Sequence, residues 1–173
     1  LNAQFKDPLA VFDERLGIAL VKVHIPIESL GWNIYAIANM DGADSFDKVG
    51  GALRAEFVTG TTEIAASFAL RKDAPYQLGL SISTGFWLID AWTEVALLHQ
   101  VKTPLWEGSL DTERYITPSA RDVSDGWWPR ISAGFEIAIP LVDEDALYIG
   151  VEYAYNSLGY EDASLYPWLI ANN

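Results

Sequence analysis

The chain has 173 residues, of which 50% are hydrophobic and 13% aromatic, and it carries 24 acidic against 11 basic side chains and no cysteine. The apolar content excludes a disordered chain, and the net charge of −13 argues against a nucleic-acid partner, whose phosphates require clustered Lys and Arg. A disulfide framework and a thiolate metal site are excluded, and no apolar run reaches the roughly 18 residues expected of a membrane helix.

Residues 1–15 mix polar and apolar side chains without a sustained period, and we interpret them as a lead-in. Six strands are predicted within 16–98, because apolar side chains alternate there with small or charged ones. Successive side chains of a strand point to opposite faces, so each strand has one apolar and one polar face. The predicted strands cover approximately 17–27, 32–40, 51–59, 63–71, 76–83 and 87–98.

The second half of the chain begins with its longest irregular stretch, 99–127, whose prolines and glycines predict a long outer loop rather than a strand pair. Residues 128–156 alternate strictly on both sides of the acidic turn Val142–Asp145, and this pattern predicts a β-hairpin. Residues 157–173 are predicted to form a loop followed by the start of a further strand at Tyr166–Ile170.

The links between the predicted strands alternate in length. Tight links are expected near 28–31, 59–61, 84–86 and 141–145, and longer ones at 41–50, 72–75 and 99–127. Consecutive strands joined in this way form an up-and-down meander with tight turns at one end and long loops at the other. Transmembrane β-barrels, which have short turns on one side of the membrane and long loops on the other, show this arrangement.

The polar face decides which side of the sheet is inside. It combines glycine, alanine and serine with isolated charges, a composition that suits an enclosed aqueous lumen better than an open surface. Rings of charge inside a pore set its ion selectivity, whereas a salt-bridge network would fill a narrow barrel, and the pattern leaves both roles open. The predicted lumen-facing residues are Lys22, His24, Arg54, Glu56, Glu63, Arg71, Asp90, Glu94, Arg130, Glu136 and Glu152.

The apolar face is expected to contact lipid. Aromatic side chains fall near the strand ends, where amphipathic rings form the interfacial girdles of membrane barrels. The aromatic residues concerned are Trp32, Tyr76, Trp87, Trp127, Trp128, Tyr153 and Tyr155. The predicted lipid-facing residues are Ile64, Phe68, Leu80, Ile131, Phe135, Ile137, Ile149 and Val151.

The chain resembles the bacterial outer-membrane β-barrels, the porin-like proteins. The resemblance covers about residues 17–156 and depends on the repeated strand pattern, the alternation of short and long links, the acidic composition and the lack of cysteine. The resemblance implies an antiparallel up-and-down transmembrane barrel in the bacterial outer membrane, with the lipid bilayer as its partner and a channel for ions or small solutes. The alternatives are a scaffolding barrel that binds other envelope proteins, a soluble lipocalin-like ligand-binding barrel and a soluble sandwich.

Eight strands are expected to be part of a larger barrel. An eight-stranded barrel is only wide enough for its own side chains, and an open sheet in lipid would leave two unpaired edges. Further strands of the same polypeptide or neighbouring chains are therefore expected to cover these edges.

No motif predicts an enzyme, and no cofactor is expected. A Gly-x-Ser-x-Gly elbow, a phosphate-binding glycine loop and a paired-histidine motif are all missing, and neither His24 nor His99 has a zinc-ligand spacing. Asp41, Asp44 and Asp47 form an oxygen-rich cluster that could hold calcium, although their spacing differs from an EF-hand and is typical of a solvated acidic loop.

Overall fold

The computed structural model describes residues 19–72, 74–109, 117–141, 145–160 and 162–172. Eight strands form one sheet in which each strand pairs antiparallel with the next strand of the sheet in chain order. The eight strands are β1 (Leu20–Ile27), β2 (Trp32–Asn39), β3 (Gly50–Thr59), β4 (Thr62–Leu70), β5 (Tyr76–Phe86), β6 (Ile89–His99), β9 (Trp127–Pro140) and β10 (Ala146–Asn156). The predicted all-β, antiparallel meander is confirmed; the predicted lead-in lies outside the described residues.

Two predictions about the less regular segments were wrong. Within 99–127, β7 (Leu105–Glu107) and β8 (Ser119–Arg121) pair as a separate two-stranded sheet, because alternation over three residues is too short to recognise. The predicted strand start at Tyr166–Ile170 is instead part of helix α1 (Tyr166–Asn172), which follows a 3₁₀ turn over Ala163–Leu165. Among the described residues, no helix has the length and apolar character needed to cross a bilayer.

The turn between β5 and β6 lies at Trp87 and Leu88, not at the predicted 84–86. Thr84, Gly85 and Phe86 continue the β5 ladder, because Thr84 pairs with Ala91 and Phe86 with Ile89. Gly85 misled the sequence interpretation, since glycine is common in turns.

The strand ends are staggered in one direction across the sheet. Trp32, at the first tight turn, lies in the same pairing row as Tyr153 of β10. Beyond that row β10 still includes the seven residues from Ala146 to Glu152. Strands that tilt around a barrel axis require such an offset, and a flat sheet with level ends does not.

β1 and β10 are the two edges of the sheet, and no closed barrel is found among the described residues. The sheet nevertheless curls toward its polar face. Residues from β2, β3, β4, β5, β6 and β9 line one shared cavity, although a flat sheet would spread these strands over about 24 Å.

The buried residues do not lie on the apolar face. In the strands of the large sheet, the buried positions are Gly50, Ala65 and Leu98, all on the polar face. A small core at the long-loop end combines Leu98 with Val101 and Val123 of the 99–127 segment. The described parts of this segment, 99–109 and 117–127, therefore pack inward through Val101, Leu105 and Val123, over one end of the polar face.

Candidate lumen face and loop-end cavity

The pairing register places the predicted lumen residues of the strands on one face of the sheet. For example, Arg54 pairs with Tyr35 on one side and Ser67 on the other, and Glu94 pairs with Ser81 and Ser132. Arg71 follows directly after β4 and belongs to the same face by alternation. Their location inside a lumen stays a prediction.

The predicted lipid-facing residues share the opposite face, and on it Ile64 pairs with Ile82 and Phe135 with Val151. None of the described residues of this face is buried, and Leu80 and Val151 are each 58% exposed. The face is continuous over all eight strands, because every pairing joins apolar-face positions to apolar-face positions. Water-exposed proteins rarely present an apolar surface of this extent.

Charge on the polar face is divided along the strands. Two neighbouring pairing rows form the boundary: Pro26, Asn33, Glu56, Ala65, Ser81, Glu94, Ser132 and Ala154 in one, and His24, Tyr35, Arg54, Ser67, Gly79, Ala96, Arg130 and Asn156 in the other. All the predicted acidic lumen residues lie in the first row or nearer the tight turns. All the predicted basic ones lie in the second row or nearer the long loops. We call the two parts the acidic half and the basic half; the stagger of the strands makes their boundary oblique.

Arg54 joins the two halves. Its Nε lies 2.6 Å from Glu56 Oε1, and its Nη2 lies 3.5 Å from Glu63 Oε1. Nearer the tight turns, Asp90 and Glu136 are direct cross-strand partners, and this arrangement of like charges costs stability. Glu152 accepts a hydrogen bond from Ser132 Oγ at 2.9 Å. This half therefore keeps excess negative charge, and a complete salt-bridge network does not form among its described residues.

His24 belongs to a polar and aromatic group at the β1 edge. Its ring stacks on Tyr35 at 4.4 Å between centroids, and its Nε2 lies 3.0 Å from Asn33 Oδ1. Lys22 places its ammonium group 4.6 Å from the centre of the Tyr35 ring. These contacts account for His24 without a metal or a reaction.

A cavity of about 690 Å³ opens at the long-loop end of the basic half. Arg71 and Arg130 line it together with Gln77, Leu98 and residues of the 99–127 segment. Trp128 Nε1 donates to the Val123 carbonyl at 2.7 Å and so fixes the segment against β9. Sequence reasoning missed Val101, Val123, Leu158 and Tyr160 as lining residues, because they lie in irregular segments where no period reports their direction.

The acidic loop does not gather its three aspartates around one point. Asp44 accepts from Lys48 Nζ at 2.8 Å, Asp47 pairs with Lys72, and the carbonyl of Asp41 accepts from Arg71 Nη2 at 2.7 Å. Hydrogen bonds from Lys48 and from Lys72 lower the pKa of Asp44 and of Asp47, respectively. Within the described residues, no group of three or more His, Cys, Asp or Glu side chains could hold a metal ion. The calcium alternative therefore gains no support from the geometry.

Aromatic side chains lie at both ends of the apolar face. At the long-loop end, His99 stacks on Trp127 at 4.6 Å and pairs with Tyr76, and its Nδ1 donates to the Gly126 carbonyl at 3.0 Å. At the tight-turn end, Trp87 is 87% exposed and has a φ of 59°. A bulky residue in the left-handed region costs conformational energy, and so exposed a ring gains little from packing. Stability of the isolated chain thus does not explain a tryptophan at this position.

Comparison of the chain with protein-family models, with curated proteins and with solved structures gave no match.

Proposed function

We propose that this protein is a β-barrel of the bacterial outer membrane that forms a pore for ions or small solutes. The observation that carries the proposal is the division of the sheet into two faces. The apolar face is continuous and exposed, whereas the charged face is on the inside of the curve and borders a cavity. A soluble lipocalin-like barrel or a soluble sandwich requires the reverse, with apolar side chains inward.

The ends of the apolar face support a membrane environment. Tyr76, His99 and Trp127 are positioned to lie at one interface, and the exposed Phe86 and Trp87 at the other. Aromatic rings prefer the headgroup region, where the ring contacts apolar groups and its polar atom contacts water. In this environment the ring of Trp87 has a role that compensates for its unfavourable φ.

The interior charge supports transport of ions. Negative charge remains on the acidic half after Arg54 is paired, so this half attracts cations. Residues 101–105 and Val123 cover one end of the polar face and would narrow the pore there. The pore is therefore expected to have a small conductance and a preference for cations.

Additional strands, from the same polypeptide or from neighbouring chains, cover the β1 and β10 edges in this proposal. Each edge strand presents unpaired backbone groups on one side, which lipid does not tolerate. The chain has no native cysteine, so a disulfide between Ile25→Cys and Leu147→Cys is a clean test. The pairing row of Ile25 reaches β10 at Tyr155, and closure of eight tilted strands shifts the contact by about eight residues along β10. An intramolecular disulfide in the membrane-folded chain would show that β1 meets β10 directly and would contradict this part of the proposal.

Planar-bilayer recording tests the function itself. The full chain, folded in detergent and verified by β-sheet circular dichroism, should give discrete conductance steps with more cation than anion current. A heat-denatured sample of the same preparation is the control. A well-folded sample that inserts into vesicles but gives no steps would eliminate the pore and leave the scaffolding alternative, in which the barrel binds envelope partners.

A further inference from the structure

The loop-end cavity has the size of a ligand site. Its volume of about 690 Å³ falls within the roughly 300–1,000 Å³ of known small-molecule pockets. It lies between the curved sheet and residues of the 101–105, 123 and 158–160 stretches, so separate parts of the chain form its walls.

The charged side chains that line this cavity are Arg71 and Arg130, and no carboxylate is found among its described lining residues. This composition is unexpected in a chain with 24 acidic against 11 basic residues. The polar face as a whole explains it, because the acidic half lies nearer the tight turns and the cavity adjoins the basic half.

Among the described residues, the hydrogen-bond acceptors of both arginines are neutral. Arg71 donates through Nη2 to the Asp41 carbonyl at 2.7 Å, and Arg130 donates through Nε to Asn156 Oδ1 at 3.1 Å. In the described part of the chain, neither forms an ion pair with a carboxylate. A guanidinium has five N–H donors in a planar fork that suits carboxylate or phosphate oxygens, so most of the donors here remain for a ligand.

The rest of the lining is largely apolar. Leu98, Val101 and Val123 form the buried core behind it, and Leu105 and Leu158 pack against this core. A ligand that satisfies both parts of the wall has an anionic head and an apolar body. We infer that the loop-end cavity binds a small amphipathic organic anion. This inference does not require the barrel to conduct.

Isothermal titration of the folded chain in detergent tests it, with blank micelles titrated in parallel. The probe is 4-phenylbutyrate, compared with the neutral 4-phenylbutan-1-ol and the cationic 4-phenylbutylamine. We expect saturable binding of the carboxylate, at least about tenfold tighter than either analogue, as the loss of a charge-assisted hydrogen bond implies. Equal affinity for the three probes, or no saturable binding, would overturn the inference.

Matched variants localise the site. Arg71→Gln and Arg130→Gln together should weaken carboxylate binding by at least about tenfold. Arg54→Gln removes one positive charge from the same face outside the cavity and should change the affinity less than about threefold. Near-ultraviolet circular dichroism verifies the fold of each variant, and unchanged binding in a folded double variant would contradict the assignment. Binding without conductance would leave this inference standing while the pore fails, and conductance without binding would do the opposite.

Discussion

The two faces of the large sheet share one backbone but differ in what surrounds them. On the apolar face, large side chains such as Leu80 and Val151 are more than half exposed, whereas the polar face includes the buried Ala65 and Leu98. A sheet in water gains its stability from the opposite distribution, because burial of apolar area drives folding. This distribution is the one expected if the apolar face contacts lipid, as proposed above, and the buried strand positions lie on the polar face.

One added charge on each face should separate the two faces by the largest difference in stability. Leu80→Arg should destabilise the vesicle-folded protein by about 2–4 kcal/mol if Leu80 lies near the bilayer midplane. Ser81→Arg, the neighbouring position on the polar face, places the charge beside Glu94 and should cost much less. Urea unfolding in vesicles measures both; similar costs for the two variants would remove the lipid assignment.

Packing on the polar face can be tested with glycine. A Cβ added at Gly134 would lie 2.6 Å from Trp92 Cζ2 and 2.8 Å from the Val151 carbonyl oxygen, so Gly134→Val should cost about 1–3 kcal/mol. Gly51 lies on the apolar face with no atom within 4 Å of an added Cβ, and Gly51→Val should change stability by less than about 0.5 kcal/mol. A cost at Gly51 equal to that at Gly134 would show that both faces are packed.

The acidic half can be weakened without disturbing the apolar face. Replacing Glu94 by Gln should lower the cation-to-anion permeability ratio about fivefold, since one charge at 4 Å contributes about 1 kcal/mol in water. Reversal potentials in a salt gradient measure the ratio, and Arg130→Gln should shift it the other way. If the ratio stays constant in both variants, these residues do not line the ion path.

Trp87 distinguishes the stability of the chain from its affinity for a membrane. Trp87→Gly removes the penalty of the positive φ and should stabilise the detergent-folded chain by about 1 kcal/mol. The same change should weaken insertion into vesicles, because it removes an interfacial ring. Vesicle flotation and urea unfolding are the two measurements, and insertion as efficient as that of the parent chain would refute an interfacial role.

The smallest effect is expected in the acidic loop. The pKa of Asp47 is lowered by Lys72 and that of Asp44 by Lys48, so their stabilising contribution is complete above the ordinary aspartate pKa. It is lost as pH falls through the lowered values. Hydrogen exchange of 41–50, corrected for its intrinsic pH dependence, should be unchanged from about pH 7 to pH 5 and lose protection progressively as pH falls below the ordinary aspartate pKa of about 4. Asp47→Asn should remove the part of this transition that is due to Asp47. Asp44→Asn should likewise remove the part that is due to Asp44.

Much of the fold could be predicted because alternation is a local property. The eight long strands of the large sheet, and the face on which each candidate residue lies, follow from a period of two that needs no knowledge of partners. The β5–β6 turn could not be located in this way, because the residues from Thr84 to Phe86 have a composition typical of a turn and also fit a strand that continues. Only the pairing with β6 distinguishes the two.

By itself, the sequence of this protein determined two chemically distinct faces, because side-chain direction along a strand depends only on position. Tertiary structure alone decided how positions on different strands combine. The acidic and basic halves depend on the register between strands, and the arginine-lined cavity depends on the inward fold of the 99–127 segment. Register and inward packing arise from contacts between residues distant in the chain, such as Leu98 with Val123, and no local period encodes such contacts.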